Sequence, residues 1–509
     1  MGTTALNRTL SAGAAGAALL LLVRVGGAGA QGYHLRLDTR IQSVSFRGWA
    51  LDSIPVGDTV STPGEGPTSP DGYAVRCLDG ASYCAFFRPG PERRSQPLTT
   101  TADLTLWGLG VAGLSMHALG RLGADVGGAD YWPGTDPAVQ LLEGYAQYAT
   151  HRATVRLGRQ TVASRLGVTG FDGAEVSLRD RRRGLDVQGY LGWGLARGGV
   201  LPVTSPAVNP LDDFQPVSRQ VVAGAEAGWR SSGADARIAY QREVDTKTDK
   251  FVSERLALQG SVRPHERVSL TAGADYDIAF GWWGNAEAAL AYADRRVRAQ
   301  VGVRRYRPHF DLWTIWGAFS PVPYRAADAS LSVVAHRRFT ARARYERYEF
   351  DDAEAATPLF QGAESTGWRW ALGGTLTPAP AWTVDGEYRS EFGPGASSAG
   401  FAGSVAYAPS RRLSIALTGS SVKRPLEYRF NEAVAHTIGV DAEFEASTAV
   451  RLGLSASRYD ESHDRPDAAA YDWDQLRLAA RVVLQLGHGA DLRGLPPSIR
   501  MLPGGRAER

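Results

Sequence analysis

This sequence predicts an all-β chain closed into a single transmembrane antiparallel β-barrel of about 22 strands, with 18 to 22 accommodated. Three observations carry that prediction. Apolar and polar residues alternate with period two from residue 33 to residue 486. Short, turn-like links alternate with longer ones along the same stretch. No segment after the first thirty residues offers the roughly 18 consecutive apolar residues that a membrane helix needs, so any crossing must be made by strands.

The alternation is clearest where charge is dense. In Phe339-Thr340-Ala341-Arg342-Ala343-Arg344-Tyr345-Glu346 it runs without a break, and from Leu476 to Leu486 the large aliphatics fall on even positions while Arg477, Arg481 and Gln485 fall on odd ones. Successive strand residues point to opposite faces, so one face is apolar enough for lipid and the other polar enough for a wet lumen. The two faces cancel in the averages, which are those of a soluble chain: 43% hydrophobic residues and a mean hydropathy of −0.23.

The links supply independent support. Gly110–Gly113, Asp180–Gly184, Asp294–Arg296, His336–Arg338 and Ala408–Arg411 are tight; 127–137, 197–218, 305–327, 350–366 and 459–472 are long. Tight periplasmic turns and longer external loops, with an even strand number that returns the C-terminus to the periplasm, are the connectivity of an outer-membrane barrel. Trp107, Trp193, Trp229, Trp283, Trp368 and Trp382 flank apolar runs, where an interfacial girdle would place them. A soluble sandwich or propeller would share one core and would not alternate its link lengths.

Residues 1–30 read as a signal peptide: Arg8, an apolar stretch at 12–23, and Ala28-Gly29-Ala30 as the cleavage site, leaving Gln31 first. The barrel is expected over 31–488 in the outer membrane, with 489–509 as a flexible periplasmic tail containing Pro496-Pro497. Residues 47–98, rich in Gly, Pro, Ser and Thr, are expected to be a long external loop without strands that caps the barrel or folds into its mouth. That loop holds Cys77 and Cys84, expected to form a disulfide after export. No His or further Cys stands near enough for a zinc set, so no metal is expected.

Between residues 156 and 178, Arg156-Leu157-Gly158-Arg159-Gln160 is followed by Phe171-Asp172-Gly173-Ala174. In that stretch the chain resembles the porin-like and alginate-export-like outer-membrane barrels, over residues 141–179. The resemblance implies passive or facilitated passage of small, often anionic or sugar-like solutes. Physically, Gly158 and Gly173 permit a bend or close backbone approach near a sheet rim, and Arg159 and Asp172 are near enough to pair across the mouth.

Arg156, Arg159, Asp172, Glu175, Arg342, Arg344, Arg477 and Arg481 are the candidate residues of a solute path. Lumen arginines can form a charged ladder that selects anions. They can equally pair with carboxylates on neighbouring strands and fill the lumen. Both readings stand at the level of sequence.

Other functions find little support. A formal net charge of +3 gives no reason to expect a nucleic-acid partner. Ser462-His463-Asp464 sets triad-type residues side by side, but a triad is defined in space and neighbours on a strand point apart. There is no nucleophile elbow, H-E-x-x-H or phosphate loop, so neither an enzyme nor a cofactor is expected. The expected partners are outer-membrane lipid, lipopolysaccharide and a small solute; a homo-oligomer is compatible with such a barrel. Acidic stretches at Asp351-Asp352 and from Asp460 to Asp474 suit either divalent cations shared with lipopolysaccharide or plain solvation. A porin or substrate channel is the leading expectation. A structural or adhesion platform with its lumen blocked by 47–98, and a barrel enzyme, are the alternatives.

Overall fold

The computed structural model describes residues 32–60, 67–71, 73, 75–78, 80–127, 138–195, 220–246, 251–307, 323–351, 365–393, 396–423, 433–463 and 472–488. The expected signal peptide and C-terminal tail lie outside the described residues. The strands begin with β1 (Gly32–Pro55), β2 (Val75–Cys77), β3 (Tyr83–Ser95), β4 (Pro97–Trp107), β5 (Leu114–Asp125) and β6 (Val139–Ala149). Next come β7 (Ala153–Ser164), β8 (Gly167–Asp180), β9 (Leu185–Gly194), β10 (Gln220–Arg230), β11 (Ala234–Asp245) and β12 (Phe251–His265). Then follow β13 (Val268–Asp277), β14 (Trp282–Ala293), β15 (Val297–Tyr306), β16 (Tyr324–His336), β17 (Phe339–Phe350) and β18 (Thr366–Leu376). The last six are β19 (Trp382–Gly393), β20 (Ala396–Tyr407), β21 (Leu413–Lys423), β22 (Ala433–Ser447), β23 (Val450–His463) and β24 (Trp473–His488).

Twenty-two of these close into an antiparallel barrel. β1 pairs with β4, each later strand pairs with the next, and β24 returns to β1 from Tyr33↔His488 to Ser43↔Leu478. Closure gives every strand of the ring a partner on each side, which is what lets strands cross an apolar layer. Beyond the strands, the described residues contain a three-residue 3-10 turn at Val56–Asp58.

Facing follows the alternation. On β24, Leu476, Leu478 and Val482 are exposed on the outer wall while Val483 is buried inside. Ile238, Leu258, Leu270, Leu290, Val301, Leu372, Leu417 and Leu454 continue the exposed apolar belt around the perimeter. The opposite faces of the same strands carry the arginines and carboxylates.

All ten links at the end where β1 starts and β24 finishes are tight. The other end differs from expectation. There β7–β8, β13–β14 and β19–β20 are joined by links as short as the turns, at 165–166, 278–281 and 394–395, so long and short do not alternate throughout.

The larger difference concerns 47–98. In place of a strandless loop, β1 continues past the barrel and pairs with β3 from Val44↔Ser95 to Pro55↔Tyr83, with an irregularity between Arg47 and Trp49. β2 adds to the far edge of β3. The ribbon runs about 40 Å at strand spacing. Tyr73, Val75, Cys84 and Phe86 form a small core against it, with Ile54 packed on one side. Cys77 and Cys84 are directly paired across β2 and β3 and are disulfide-bonded, with Cα atoms 4.2 Å apart.

Candidate functional site

The Arg156–Ala174 motif sits where the barrel wall changes direction. β6 and β7 pair only from Ala149↔Thr154 to Gly144↔Arg159, whereas β7 and β8 stay paired to Ser164↔Gly167. Beyond Arg159 the β7–β8 hairpin therefore parts from β6. Gly158 makes the bend: its φ of +131° disfavours any other residue, and a Cβ there would lie 2.3 Å from the Gly144 carbonyl oxygen. Across the ladder, a Cβ on Gly173 would lie 2.1 Å from the Leu191 carbonyl oxygen.

The hairpin turns into the lumen. Leu166 at its tip is buried against Ala239 of β11 and Ala257 of β12. Arg165 reaches Glu287 on β14 at 2.8 Å, and the Thr169 hydroxyl donates to Gln241 Oε1 at 3.0 Å. All four wall residues alternate with the exposed Ile238, Leu256, Leu258 and Leu290, so the hairpin lies on the inner side. Val162, Phe171, Tyr190 and Val222 form an apolar cluster beneath it, with Phe171 at 0% exposure. Below the hairpin a cavity of about 730 Å³ is lined by Thr161, Val162, Arg156, Glu175, Ser177 and Gln188, among others.

The structure divides the motif's charges between two faces. Arg156 faces inward, donating to Gln147 at 2.8 Å and Glu175 at 3.3 Å. Arg159 faces the other way and pairs directly with Asp172 on the adjacent strand, at 2.7 and 2.9 Å, so the contact is cross-strand rather than across the mouth. Its remaining nitrogen donates to the Leu141 carbonyl at 2.9 Å, capping a β6 group just past the end of the β6–β7 ladder.

Of the remaining candidates, Arg342 is bound to Thr375 at 2.7 Å and Asp385 at 2.8 Å, and Arg481 to Asp38 at 2.5 Å. Arg477 donates to Gln475 at 3.1 Å. Arg344 has no ion-pair partner among the described residues; it borders a recess of about 370 Å³ with Arg298, Gln300, Ser330, Arg342 and Glu387. Elsewhere on the inner wall Glu346 bridges Arg304 at 2.7 Å and Arg369 at 2.9 Å. His463 contacts Glu461 at 3.2 Å and Asp472 at 3.6 Å, while Ser462 next to it points to the opposite face and Asp464 lies outside the described residues.

Sequence reasoning missed the hairpin residues Thr161, Arg165, Leu166 and Thr169, and their receivers Gln241 and Glu287. A trace was present: Val162 and Phe171 are apolar residues on the face that Arg156, Gln160 and Glu175 make polar.

A closed, even-stranded antiparallel barrel with an apolar belt outside and paired charges inside is the architecture of the Gram-negative outer membrane, and the chain is a β-barrel of that class. Among solved structures it is similar to a mutant of the ferric enterobactin receptor PfeA from Pseudomonas aeruginosa, at 11% identity over 90% of this chain and 81% of that one, with a TM-score of 0.51. At that identity the likeness is one of fold. The chain is also similar to OccK3 (OpdO) of Pseudomonas aeruginosa, at 11% identity over 89% and 96% of the two chains, TM-score 0.39. A BenF-like porin of Pseudomonas fluorescens Pf-5 matches at 10% identity over 89% and 99%, TM-score 0.38. No family model matches the sequence, and no curated protein does.

Proposed function

We propose that the protein is a porin-like channel that passes small hydrophilic solutes passively across the outer membrane, with the β7–β8 hairpin as its constriction. One observation carries this reading: the body that narrows the lumen is a hairpin of the wall itself, seated by Leu166, Arg165 and Thr169 on the inner face of β11–β14. Inner charges of both signs are mostly paired, so selection is by size at the hairpin first and by charge second.

The test is single-channel conductance in a planar bilayer. Wild type is compared with a variant in which residues 162–169 are replaced by Asn-Gly, closing the turn on the Thr161↔Gly170 pair. The trimmed variant is expected to conduct more. Equal conductance in both would remove the hairpin from the path. Silence in both would favour the second reading, a display platform, for which the disulfide-stapled β1–β3 ribbon beyond the barrel rim is the supporting feature.

A further inference from the structure

The tight turns share a property that neither the fold nor the channel requires. The ten links at that end of the barrel hold eleven arginines against two acidic residues, Glu266 and Asp294. The arginines come in a run at 181–183 and in doublets at 295–296, 337–338 and 411–412, with single ones at 152 and 267. Every one is solvent-exposed. Asp294 is occupied within its own turn, accepting the backbone N–H groups of Arg296 and Val297 at 2.7 Å each. The opposite end leans the other way: its ten links from β5 to β24 hold fifteen acidic residues and nine basic ones.

We propose that this basic rim binds the anionic phospholipid headgroups of the leaflet in which the tight turns lie. Two features favour a lipid surface over a protein partner. First, the arginine runs fall in the β8–β9, β14–β15, β16–β17 and β20–β21 turns, spread around the perimeter; a docked protein would call for one patch. Second, each run adjoins lipid-facing side chains: Leu178 and Leu185 beside 181–183, Tyr292 beside 295–296, Phe339 beside 337–338, and Ile415 beside 411–412. That is headgroup depth, where arginine keeps its charge in the polar layer while its stem follows apolar surface. Acidic lipid there holds the turn end in place, and the apolar wall fixes the span beside it.

The inference rests on the outer-membrane orientation, with tight turns toward the periplasm, and not on conduction; a closed lumen would leave it intact. The experiment uses the full chain folded in phosphatidylcholine vesicles. Electron spin resonance then gives the relative association of spin-labelled phosphatidylglycerol and spin-labelled phosphatidylcholine at the protein surface. At low salt the ratio is expected to favour phosphatidylglycerol by about five-fold or more, and to approach one near 1 M salt, where the Debye length is about 3 Å. Arg→Gln substitution at all nine run and doublet positions should bring the low-salt ratio close to one. If that variant folds poorly, Arg337→Gln with Arg338→Gln alone should still lower the ratio measurably. A wild-type ratio near one, or a variant ratio equal to wild type, would overturn the proposal. So would a ratio near one together with tight, salt-sensitive binding of polyglutamate, which would assign the rim to an acidic protein.

Discussion

Arg481 on the last strand donates two hydrogen bonds to Asp38 on the first, Nε to Oδ1 at 2.8 Å and Nη2 to Oδ2 at 2.5 Å. The pair spans the junction that closes the barrel, between residues 443 apart in sequence. Its two-point geometry favours one register for a pairing that chain connectivity does nothing to impose. Lumen water screens it, so its coupling is expected at about 0.5–1 kcal/mol. A double-mutant cycle of Asp38→Ala and Arg481→Ala, read from denaturant unfolding in detergent, measures this. Strict additivity would mean that the pair contributes nothing to closure. Exchanging the partners, Asp38→Arg with Arg481→Asp, should recover most of the loss.

Facing on β24 predicts a sharp contrast between neighbours. Val482 is exposed on the outer wall, and Arg481 beside it points inward. Val482→Arg should cost about 2–4 kcal/mol if it lies near the bilayer midplane, less near the rim, and should reduce the folded fraction in vesicles. Arg481→Gln, on the inner face, should cost no more than the ion pair itself. Equal losses would show that the two faces are not distinguished by lipid.

These facings were legible in the sequence because period two is a property of the strand backbone: the even positions of Leu476–Leu486 are apolar, and Leu478, Val482 and Leu486 are indeed exposed. The hairpin was not legible, since Arg165 and Glu287 are 122 residues apart and no local spacing encodes their contact. Its short link also stood where a long one was expected. The β1–β3 ribbon was hidden by composition. β3 contains Pro89, Gly90 and Pro91, which deny strand propensity, yet proline is tolerated in edge positions where its missing N–H is not needed. The arginine candidates were found by type, but pattern alone did not separate the paired Arg342 and Arg481 from Arg344, which lacks an ion-pair partner among the described residues.

The disulfide belongs to the ribbon, not the barrel. Replacing Cys77 and Cys84 together by Ser removes a cross-link spanning seven residues, worth about 2–3 kcal/mol to local order in the chain-entropy model. The small core of Tyr73, Val75 and Phe86 should loosen, and limited proteolysis should cut within residues 50–95 at a higher rate. Barrel unfolding should stay unchanged. A matching fall in barrel stability would show that the ribbon supports the wall.

Gly158 is the bend's critical position. Gly158→Val must place a branched side chain at φ +131°, against the Gly144 carbonyl, and should cost about 1–3 kcal/mol. Because the strain sits at the base of the hairpin, relief is expected by displacement of its tip from Ala239 and Ala257, raising mean conductance and current noise. Unaltered conductance with intact folding would show that the bend does not position the constriction.

Charge reversal separates the pore-facing arginines by their partners. Arg342 is locked to Thr375 and Asp385, and Thr375 also donates to Asp385 at 2.6 Å, so Arg342→Glu sets a carboxylate against an existing one. That variant should lose about 1–3 kcal/mol of stability. Arg344 borders the recess shared with Arg298, Gln300 and Ser330 and has no ion-pair partner among the described residues, so Arg344→Glu removes a cation without breaking a pair. It should fold with a stability change within about 0.5 kcal/mol. Its effect should appear in the reversal potential under a salt gradient, moved toward cation preference, since a charge on a conducting wall acts on ions within roughly a Debye length of about 8–10 Å. Arg344→Gln should give an intermediate value. If both variants fold and the reversal potential does not move, ions do not pass this part of the wall.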